Sequence, residues 1–333
     1  DTDTDPELGP STSSDSLHHH PHPYPLETDH PTSMNPPSSI LIAGAGFLGT
    51  QLAELLAEAG CHAYTLRRSP TPLQASTAPA STPTRIHPIQ ADLLEPSTLA
   101  DLPATIDAVV FAASADRSNP DAYQNTYLSA QSNLAHALLR SGRELQRWIF
   151  VSSTRVYGFS DGRWVGESTP PHIRDRLAET LLRAEEFTHA LPWPTCVVRS
   201  AGIYGPGRNR LLDQCLRQER PLPPPGVYTN RIHRDDCARA LLHLLHLPMA
   251  DLPPTILAAD RDPAESRTFL TWIYQQLGRT PPDLGPADRP RGGNKRCRSD
   301  LLLQTGFQFH YPSYRDGYPA LIQSVLSTPP ADS

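Results

Sequence analysis

A glycine-rich segment has the spacing of a loop that binds a pyrophosphate. Gly44, Gly46 and Gly49 form a Gly-x-Gly-x-x-Gly pattern between a short apolar run and an amphipathic run. The first glycine allows a tight turn, the second lets the backbone approach the ligand, and the third lets helix and strand pack closely. The N-terminus of the following helix adds N–H donors and a positive dipole end. The alternative is a glycine-rich turn without a ligand. The residues predicted to contact a dinucleotide are Gly44, Gly46, Phe47, Leu48 and Gly49.

Two arginines follow the second apolar run, at the distance where NAD-binding proteins carry an acid for the ribose 2′-hydroxyl. These residues are Arg67 and Arg68, and no carboxylate stands beside them. Guanidinium groups suit the additional phosphate of NADP. We therefore predict that NADP(H) is preferred over NAD(H). The alternative is a pair of solvated arginines at the end of a strand.

Lysine is almost absent from the chain, which excludes several mechanisms. The sequence has 29 basic residues, and Lys295 is the one lysine among them. Because no Ser or Thr follows Lys295, a Walker-type phosphate loop is excluded. Any lysine-assisted chemistry must use Lys295.

Apolar runs of strand length alternate with helical patterns of ten or more residues from Ser39 to about residue 204. This alternation predicts an α/β fold, a doubly wound parallel sheet of the Rossmann type. Beyond that point helices and proline-rich loops predict a smaller C-terminal substrate lobe. The predicted segments are a disordered acidic, His- and Pro-rich extension (1–36), the nucleotide-binding domain (38–204), the smaller lobe (205–327) and a tail (328–333).

The charge distribution and the cysteines bound the class of protein. The formal net charge is −6, and the first 33 residues alone contribute −7, so the remaining chain is near neutral. No basic stripe for nucleic acid and no apolar run of about 18 residues for a membrane is present. The five cysteines are scattered, which indicates reduced thiols in a cytoplasmic protein. We expect no metal site, because nothing rigid holds the histidines at 18–20 and 22.

The ordered chain from Ser39 to about Leu326 resembles the extended short-chain dehydrogenase/reductase superfamily, of the NAD-dependent epimerase/dehydratase type. The resemblance covers most of the chain in order and spacing. Its motifs are GAGFLG, the dipeptide Ala91-Asp92, FVSSTRVYG (150–158), RSAGIYGPGR (199–208) and NRIHRDDCARAL (230–241).

This resemblance implies roles for residues outside the glycine loop. Each has a structural alternative, such as a loop cap for Asp92, a strand-end hydrogen bond for Ser153 and packing for Tyr204. The implied residues are Asp92 with Leu93 at the adenine, Ala112, Ala113 and Ser114 along the cofactor trough, Ser153 as the catalytic serine, and Tyr204 and His233 as substitute proton donors.

The family's catalytic tyrosine and lysine are missing. Their positions fall on Leu177 and Leu181, which places the chain in an atypical branch. Two functions follow. One is an NAD(P)-dependent oxidoreductase or epimerase acting on a small polar or sugar-nucleotide-like substrate; the other is a catalytically silent NADP-binding sensor or scaffold. The resemblance also implies a homodimer formed through helices near 126–140 and 176–191.

Overall fold

The computed structural model describes residues 36–69, 85–282 and 292–327. The extension predicted at the start of the chain, with its histidine cluster, lies outside the described residues apart from residue 36. The C-terminal tail lies outside them as well.

A parallel sheet of seven strands lies at the centre of the molecule, in the order β11-β7-β5-β4-β1-β2-β3. The predicted doubly wound α/β fold is confirmed. The strands are β1 (Ser39–Ala43), β2 (His62–Arg67), β3 (Ile86–Gln90), β4 (Ala108–Phe111), β5 (Arg147–Ser153), β6 (Trp164–Val165), β7 (Thr195–Ser200), β8 (Gly202–Tyr204), β9 (Tyr228–Thr229), β10 (Arg231–His233), β11 (Thr255–Ala258), β12 (Ala264–Glu265) and β13 (Arg296–Cys297). The helices are α1 (Phe47–Glu58), α2 (Pro120–Tyr123), α3 (Ala130–Arg140), α4 (Arg176–His189), α5 (Arg210–Leu216), α6 (Arg234–His246), α7 (Ser266–Gln276), α8 (Asp300–Gln304) and α9 (Tyr314–Ser327).

The two faces of the sheet are covered by different helices, because successive side chains of a strand point to opposite faces. In β1, Ile40 and Ile42 pack with α1 and α6, whereas Leu41 and Ala43 pack with α3. The other central strands alternate in the same way. Both faces are therefore apolar, which explains the nearly continuous hydrophobic runs of these strands.

Helical structure after β4 begins at Pro120, earlier than in the helix predicted near 126–140. Asn119 caps α2, accepting a hydrogen bond from Ala122 N at 2.8 Å, and Pro120 occupies the first helical position. Between α2 and α3, Gln124–Ser129 form a π-helical segment. Such segments are rare and occur frequently at functional sites.

The chain after residue 205 serves both the sheet and a smaller cluster. The helix α6 packs on α1, and β11 pairs with β7 as an edge strand of the central sheet. Buried side chains of α5, α7 and α9 form a separate apolar cluster. Two elements of the predicted lobe, α6 and β11, therefore pack on or pair with the central sheet. The domain boundary at residue 204 stays a prediction.

The described residues include no helix that is both long and apolar enough to cross a bilayer. All five cysteines are buried and free. Within the three described ranges, no group of three or more His, Cys, Asp or Glu side chains is arranged to hold a metal ion.

Candidate functional site

A cavity of about 820 Å³ lies at the carboxyl ends of the central strands. This edge of an open parallel sheet is where such folds bind ligands. The structure brings most of the predicted site residues together there. The predicted residues that line the cavity are Gly44, Gly46, Phe47, Leu48, Arg67, Arg68, Asp92, Leu93, Ala112, Ala113, Ser114 and Ser153.

The three glycines of the loop are required for different reasons. Gly44 has φ +98°, and a Cβ there would lie 2.4 Å from the backbone of Ala113. At Gly49 a Cβ would lie 2.6 Å from Gly44 O, so this glycine lets α1 approach β1. At Gly46 no atom lies within 4 Å of a Cβ, and the position faces the cavity. The open space over Gly46 fits a pyrophosphate lying against the backbone.

The N-terminus of α1 is prepared for an anion. Its N-cap is Gly46, no side chain caps it, and the first turn contains no acidic residue. The N–H groups of the first turn of a helix have no intrahelical acceptor. Phe47 and Leu48, in this turn, line the cavity. These N–H groups and the positive end of the helix dipole fit the pyrophosphate of a dinucleotide.

Arg67 and Arg68 line the cavity at the end of β2. Arg67 is half-buried, and its Nη2 donates to Thr50 Oγ1 at 3.4 Å, whereas Arg68 is exposed. Within the described residues, neither guanidinium pairs with a carboxylate. Both are therefore available to a phosphate group at this end of the cavity.

Asp92 and Leu93 line the cavity after β3 while also shaping their own loop. Asp92 Oδ1 accepts a hydrogen bond from Leu94 N at 2.9 Å. Leu93 O accepts from Asn133 Nδ2 at 2.9 Å, which ties the loop to α3. The loop-capping alternative for Asp92 is thus present, and Asp92 also lines the cavity, so its contact with an adenine stays a prediction.

Ser153 ends β5 and lines the cavity. Its Oγ accepts a hydrogen bond from Arg155 N at 3.2 Å. The neighbouring Ser152 donates to Glu185 Oε1 at 2.6 Å, and Glu185 in turn binds Arg199 through Nη2–Oε2 at 2.6 Å. Arg199 also donates to Tyr157 Oη at 2.6 Å. A buried network of charged and polar side chains therefore supports the end of β5 on which Ser153 stands.

Leu177 and Leu181 lie in the apolar interior of the protomer. Leu177 is 8% exposed and Leu181 is 1% exposed. Leu181 packs in a cluster that contains Val156, Tyr157 and Cys297. Neither leucine lines the cavity. The two positions thus contribute packing and no ionisable group.

Tyr204 and His233 do not line the cavity, and their role as substitute proton donors stays a prediction. Tyr204 stacks on Tyr318 with ring centroids 4.5 Å apart, and burial raises its pKa. His233 is 3% exposed and caps α6 by accepting from Asp235 N at 3.2 Å. Burial lowers the pKa of His233. Both side chains pack behind the loop that carries Arg208, because β8 and β10 pair beside the sheet.

One polar wall of the cavity consists of residues that the sequence analysis does not predict as site residues. It is formed by the loop after β4 and by the π-helical segment. Its residues are Asp116, Arg117, Asn119, Asp121, Asn125, Thr126 and Tyr127. The Asn-Pro pair at 119–120 is a recognisable helix start and was the available signal. The π-helical turn has no comparable signature in the sequence.

The chain was compared with known families and structures. Residues 40–258 match the NAD-dependent epimerase/dehydratase family. A search of curated proteins finds no match. A Methylobacillus flagellatus protein, whose name also refers to NAD-dependent epimerase/dehydratases, is 33% identical with a TM-score of 0.71; the alignment covers 87% of this chain and 99% of that one.

Two further solved structures are similar. A conserved protein of unknown function from Silicibacter pomeroyi is 25% identical with a TM-score of 0.66, covering 86% of this chain and 99% of that one. The UDP-glucose 4-epimerase of Thermus thermophilus, solved with NAD, is 17% identical with a TM-score of 0.70; 87% of this chain and 99% of that chain are covered. At that identity the last likeness concerns the fold.

Proposed function

Because this chain belongs to the NAD-dependent epimerase/dehydratase family, we propose that it is an NADP(H)-dependent oxidoreductase or epimerase. Its substrate is a small polar or sugar-nucleotide-like molecule. The observation that carries the proposal is the cavity, which joins the glycine loop, two arginines without carboxylate partners in the described chain and Ser153.

The preference for NADP(H) rests on Arg67 and Arg68. A 2′-phosphate beside β2 meets two guanidinium groups there and no acid at the end of the strand. Charge-assisted hydrogen bonds of this type contribute about 1.5–3 kcal/mol each. NAD(H) lacks this phosphate and leaves both cations in water.

The other residues that line the cavity bind the dinucleotide or contact the substrate. The nicotinamide supplies hydride chemistry when bound. The first turn of α1 holds the pyrophosphate, Asp92 and Leu93 lie at the adenine, and Ala112, Ala113 and Ser114 form the wall between them. Ser153 donates a hydrogen bond to the reacting oxygen, since its Oγ accepts from Arg155 N and keeps its own proton available.

A specific observation favours a second candidate, a catalytically silent NADP-binding sensor or scaffold. The positions of the family's tyrosine and lysine are filled by Leu177 and Leu181, both buried. An ordinary phenol, with a pKa near 10, is a poor base at neutral pH unless a cation lowers that pKa. The lining of the cavity favours the enzyme, because Ser153 and several polar groups face it.

Calorimetry with NADP(H) and NAD(H) tests the cofactor half of the proposal. We expect Arg67→Ala with Arg68→Ala to weaken NADPH binding by roughly 100-fold and to leave NADH binding within about twofold. Arg85→Ala is the matched control, because Arg85 is half-buried directly before β3 and does not line the cavity. Equal affinities of the wild type for both dinucleotides contradict the preference.

Oxidation of NADPH against a panel of carbonyl and sugar-nucleotide substrates tests the catalytic half. We expect Ser153→Ala to lower kcat by roughly 10- to 100-fold on any substrate that is turned over. Binding of NADPH with no turnover across the panel favours the silent module. Identical rates for the wild type and Ser153→Ala remove the catalytic role of Ser153.

A cytoplasmic location and a homodimer complete the proposal, with different support. The five free, buried cysteines fit a reducing compartment. The dimer has weaker support, since Leu134, Leu138, Leu177 and Leu181 of the two candidate helices are buried within one protomer. Sedimentation that shows only monomer at micromolar concentration removes the dimer.

A further inference from the structure

We call the part of the cavity where Ser153 and Ser200 lie the serine end. The family's catalytic tyrosine is missing from the chain, but a different tyrosine lines the cavity. Of the chain's 11 tyrosines, Tyr127 is the one that lines the cavity in the part of the chain that the structure describes. It belongs to the π-helical segment between α2 and α3, and not to α4. Its ring is half-buried. A phenol therefore reaches the cavity from a different helix.

Tyr127 lies beside both β5 and α4. Its ring contacts Phe150, three residues before Ser153, in an edge-to-face arrangement with centroids 6.3 Å apart. The same ring packs against the buried cluster that contains Leu181. The ring of Tyr127 thus lies between β5, which carries Ser153, and α4, which has Leu177 at the position of the family's tyrosine.

The position of Tyr127 is fixed by buried hydrogen bonds. Its carbonyl accepts from Gln131 Nε2 at 3.2 Å, and Gln131 Oε1 accepts from Thr188 Oγ1 of α4 at 2.7 Å. Gln131 and Thr188 are both 0% exposed. The backbone of the π-helical turn is therefore tied to α4, and Tyr127 in this turn lines the cavity.

We propose that Tyr127 donates the proton to the reacting oxygen of a carbonyl substrate at the serine end of the cavity. This inference rests on the proposed function, which supplies the reduced dinucleotide as hydride donor. The carbonyl carbon gains a C–H bond by accepting the hydride, and the carbonyl oxygen gains an O–H bond from the phenol. The tyrosinate then regains a proton from water. The products are an alcohol and the oxidised dinucleotide.

The acidity of Tyr127 suits a proton donor better than a base. Burial raises its pKa to about 12, with a further contribution from Tyr123, while an N–H contact from the backbone of Ala115 lowers it. The phenol is therefore protonated throughout the neutral range. It is still a stronger acid than a water-like hydroxyl group, whose pKa is about 15.7, so transfer to a developing alkoxide is favourable.

Tyr127→Phe keeps the ring and removes the hydroxyl group, and Tyr123→Phe is the matched control. Tyr123, four residues earlier at the end of α2, contacts the ring of Tyr127 and does not line the cavity. For Tyr127→Phe we expect kcat to fall by roughly 10²- to 10⁴-fold, with NADPH affinity and Tm unchanged. Tyr123→Phe retains the kcat of the wild type. An unchanged kcat in Tyr127→Phe, or a parallel loss of NADPH affinity and Tm, overturns the proposal.

A spectroscopic titration tests the position of Tyr127 without relying on turnover. In protein labelled with [13Cζ]tyrosine, the signal missing from Tyr127→Phe reports its pKa with no dinucleotide, with NADP+ and with NADPH. Because the oxidised nicotinamide is cationic, NADP+ is expected to lower this pKa by about one unit or more, and NADPH to lower it less. If NADP+ does not change the pKa of Tyr127, the proposal is overturned. A wild type that does not bind NADP(H) overturns the proposed function instead. If NADPH binds without turnover, the enzyme half of that function fails and this titration alone decides the placement of Tyr127.

Discussion

The two ends of the cavity are built in different ways. At the glycine end, residues 44–49, Arg67 and Arg68 follow two adjacent strands, and much of the binding surface is backbone. At the serine end, Ser153, Ser200 and Tyr127 come from β5, β7 and a π-helical segment that are far apart in sequence. The glycine end keeps the family pattern, whereas the serine end lacks its tyrosine and lysine.

This difference shows which part of a nucleotide-binding fold can vary. A turn that needs positive φ and close backbone contacts tolerates few changes, because a Cβ at Gly44 or Gly49 collides with neighbouring backbone atoms. Side chains that meet at a point can be replaced by groups arriving from another element. The serine end then depends on the packing and hydrogen bonds that support those groups.

The largest expected effect concerns the buried network under Ser153. Glu185 is 2% exposed and accepts hydrogen bonds from Ser152 and from Arg199. Glu185→Ala leaves the guanidinium of Arg199 buried without its carboxylate. We expect the free energy of unfolding to fall by about 3–5 kcal/mol in urea unfolding.

The neighbouring Glu186 provides the matched control for this prediction, because its side chain is exposed. Glu186→Ala is expected to change the free energy of unfolding by about 0.5 kcal/mol or less. Equal effects of the two substitutions mean that the serine end does not depend on the buried ion pair.

A pair of glycine substitutions separates fold from ligand at the other end. Gly44→Ala places a Cβ 2.4 Å from the backbone of Ala113 at φ +98°. We expect it to lower the free energy of unfolding by about 3 kcal/mol, from backbone strain and overpacking together. Gly46→Ala faces open space, so its stability stays near that of the wild type while NADPH affinity falls.

Thermal unfolding and calorimetry on both variants check this contrast. A Gly46→Ala variant that binds NADPH as tightly as the wild type argues against a pyrophosphate at this position. Loss of stability in Gly46→Ala equal to that of Gly44→Ala removes the distinction between the two glycines.

The contrast between the two ends of the cavity also explains which parts of the structure can be predicted from the sequence. The central strands and the glycine loop carry local patterns, so the parallel sheet and the residues that line the glycine end follow from neighbouring residues. The edge strand β11 has four residues after a proline pair, and nothing local marks it as the partner of β7. Its place depends on the packing of the whole sheet.

At the serine end the sequence does not indicate which tyrosine lines the cavity. Tyr204 stands in a family motif, yet it packs on Tyr318, whereas Tyr127 lines the cavity. The reason is geometric. A π-helical turn closes a hydrogen bond from Ala130 N to Asn125 O, one residue longer than in an α-helix. This insertion rotates the following side chains, and helical periodicity in the sequence does not anticipate it.

The smallest effect is expected at the chain's one lysine. Lys295 is 4% exposed, and its Nζ donates to Gly292 O. Its pKa is lowered to about 8, chiefly by burial; Cys297 acts in the opposite direction, and the positive charge of Arg155 adds to the lowering. No carboxylate within the described ranges forms an ion pair with it. Lys295→Met therefore removes an uncompensated buried charge, and we expect the free energy of unfolding at pH 7 to rise by about 1–3 kcal/mol.

The pH dependence of the free energy of unfolding distinguishes the effect of the buried charge of Lys295 from an effect of changed packing. Between about pH 8 and pH 10.5 the unfolded lysine holds a proton that the folded one has released, so the lysine contribution to stability rises with pH. The advantage of Lys295→Met over the wild type should therefore shrink from pH 7 to pH 10 in urea unfolding. Arg296→Met is the control, because Arg296 is the next residue, is half-buried and has its guanidinium over the Trp164 ring; it should show no such trend. A less stable Lys295→Met at pH 7 means that the lysine stabilises the fold. A more stable variant with unchanged turnover fits the position of Lys295, which does not line the cavity.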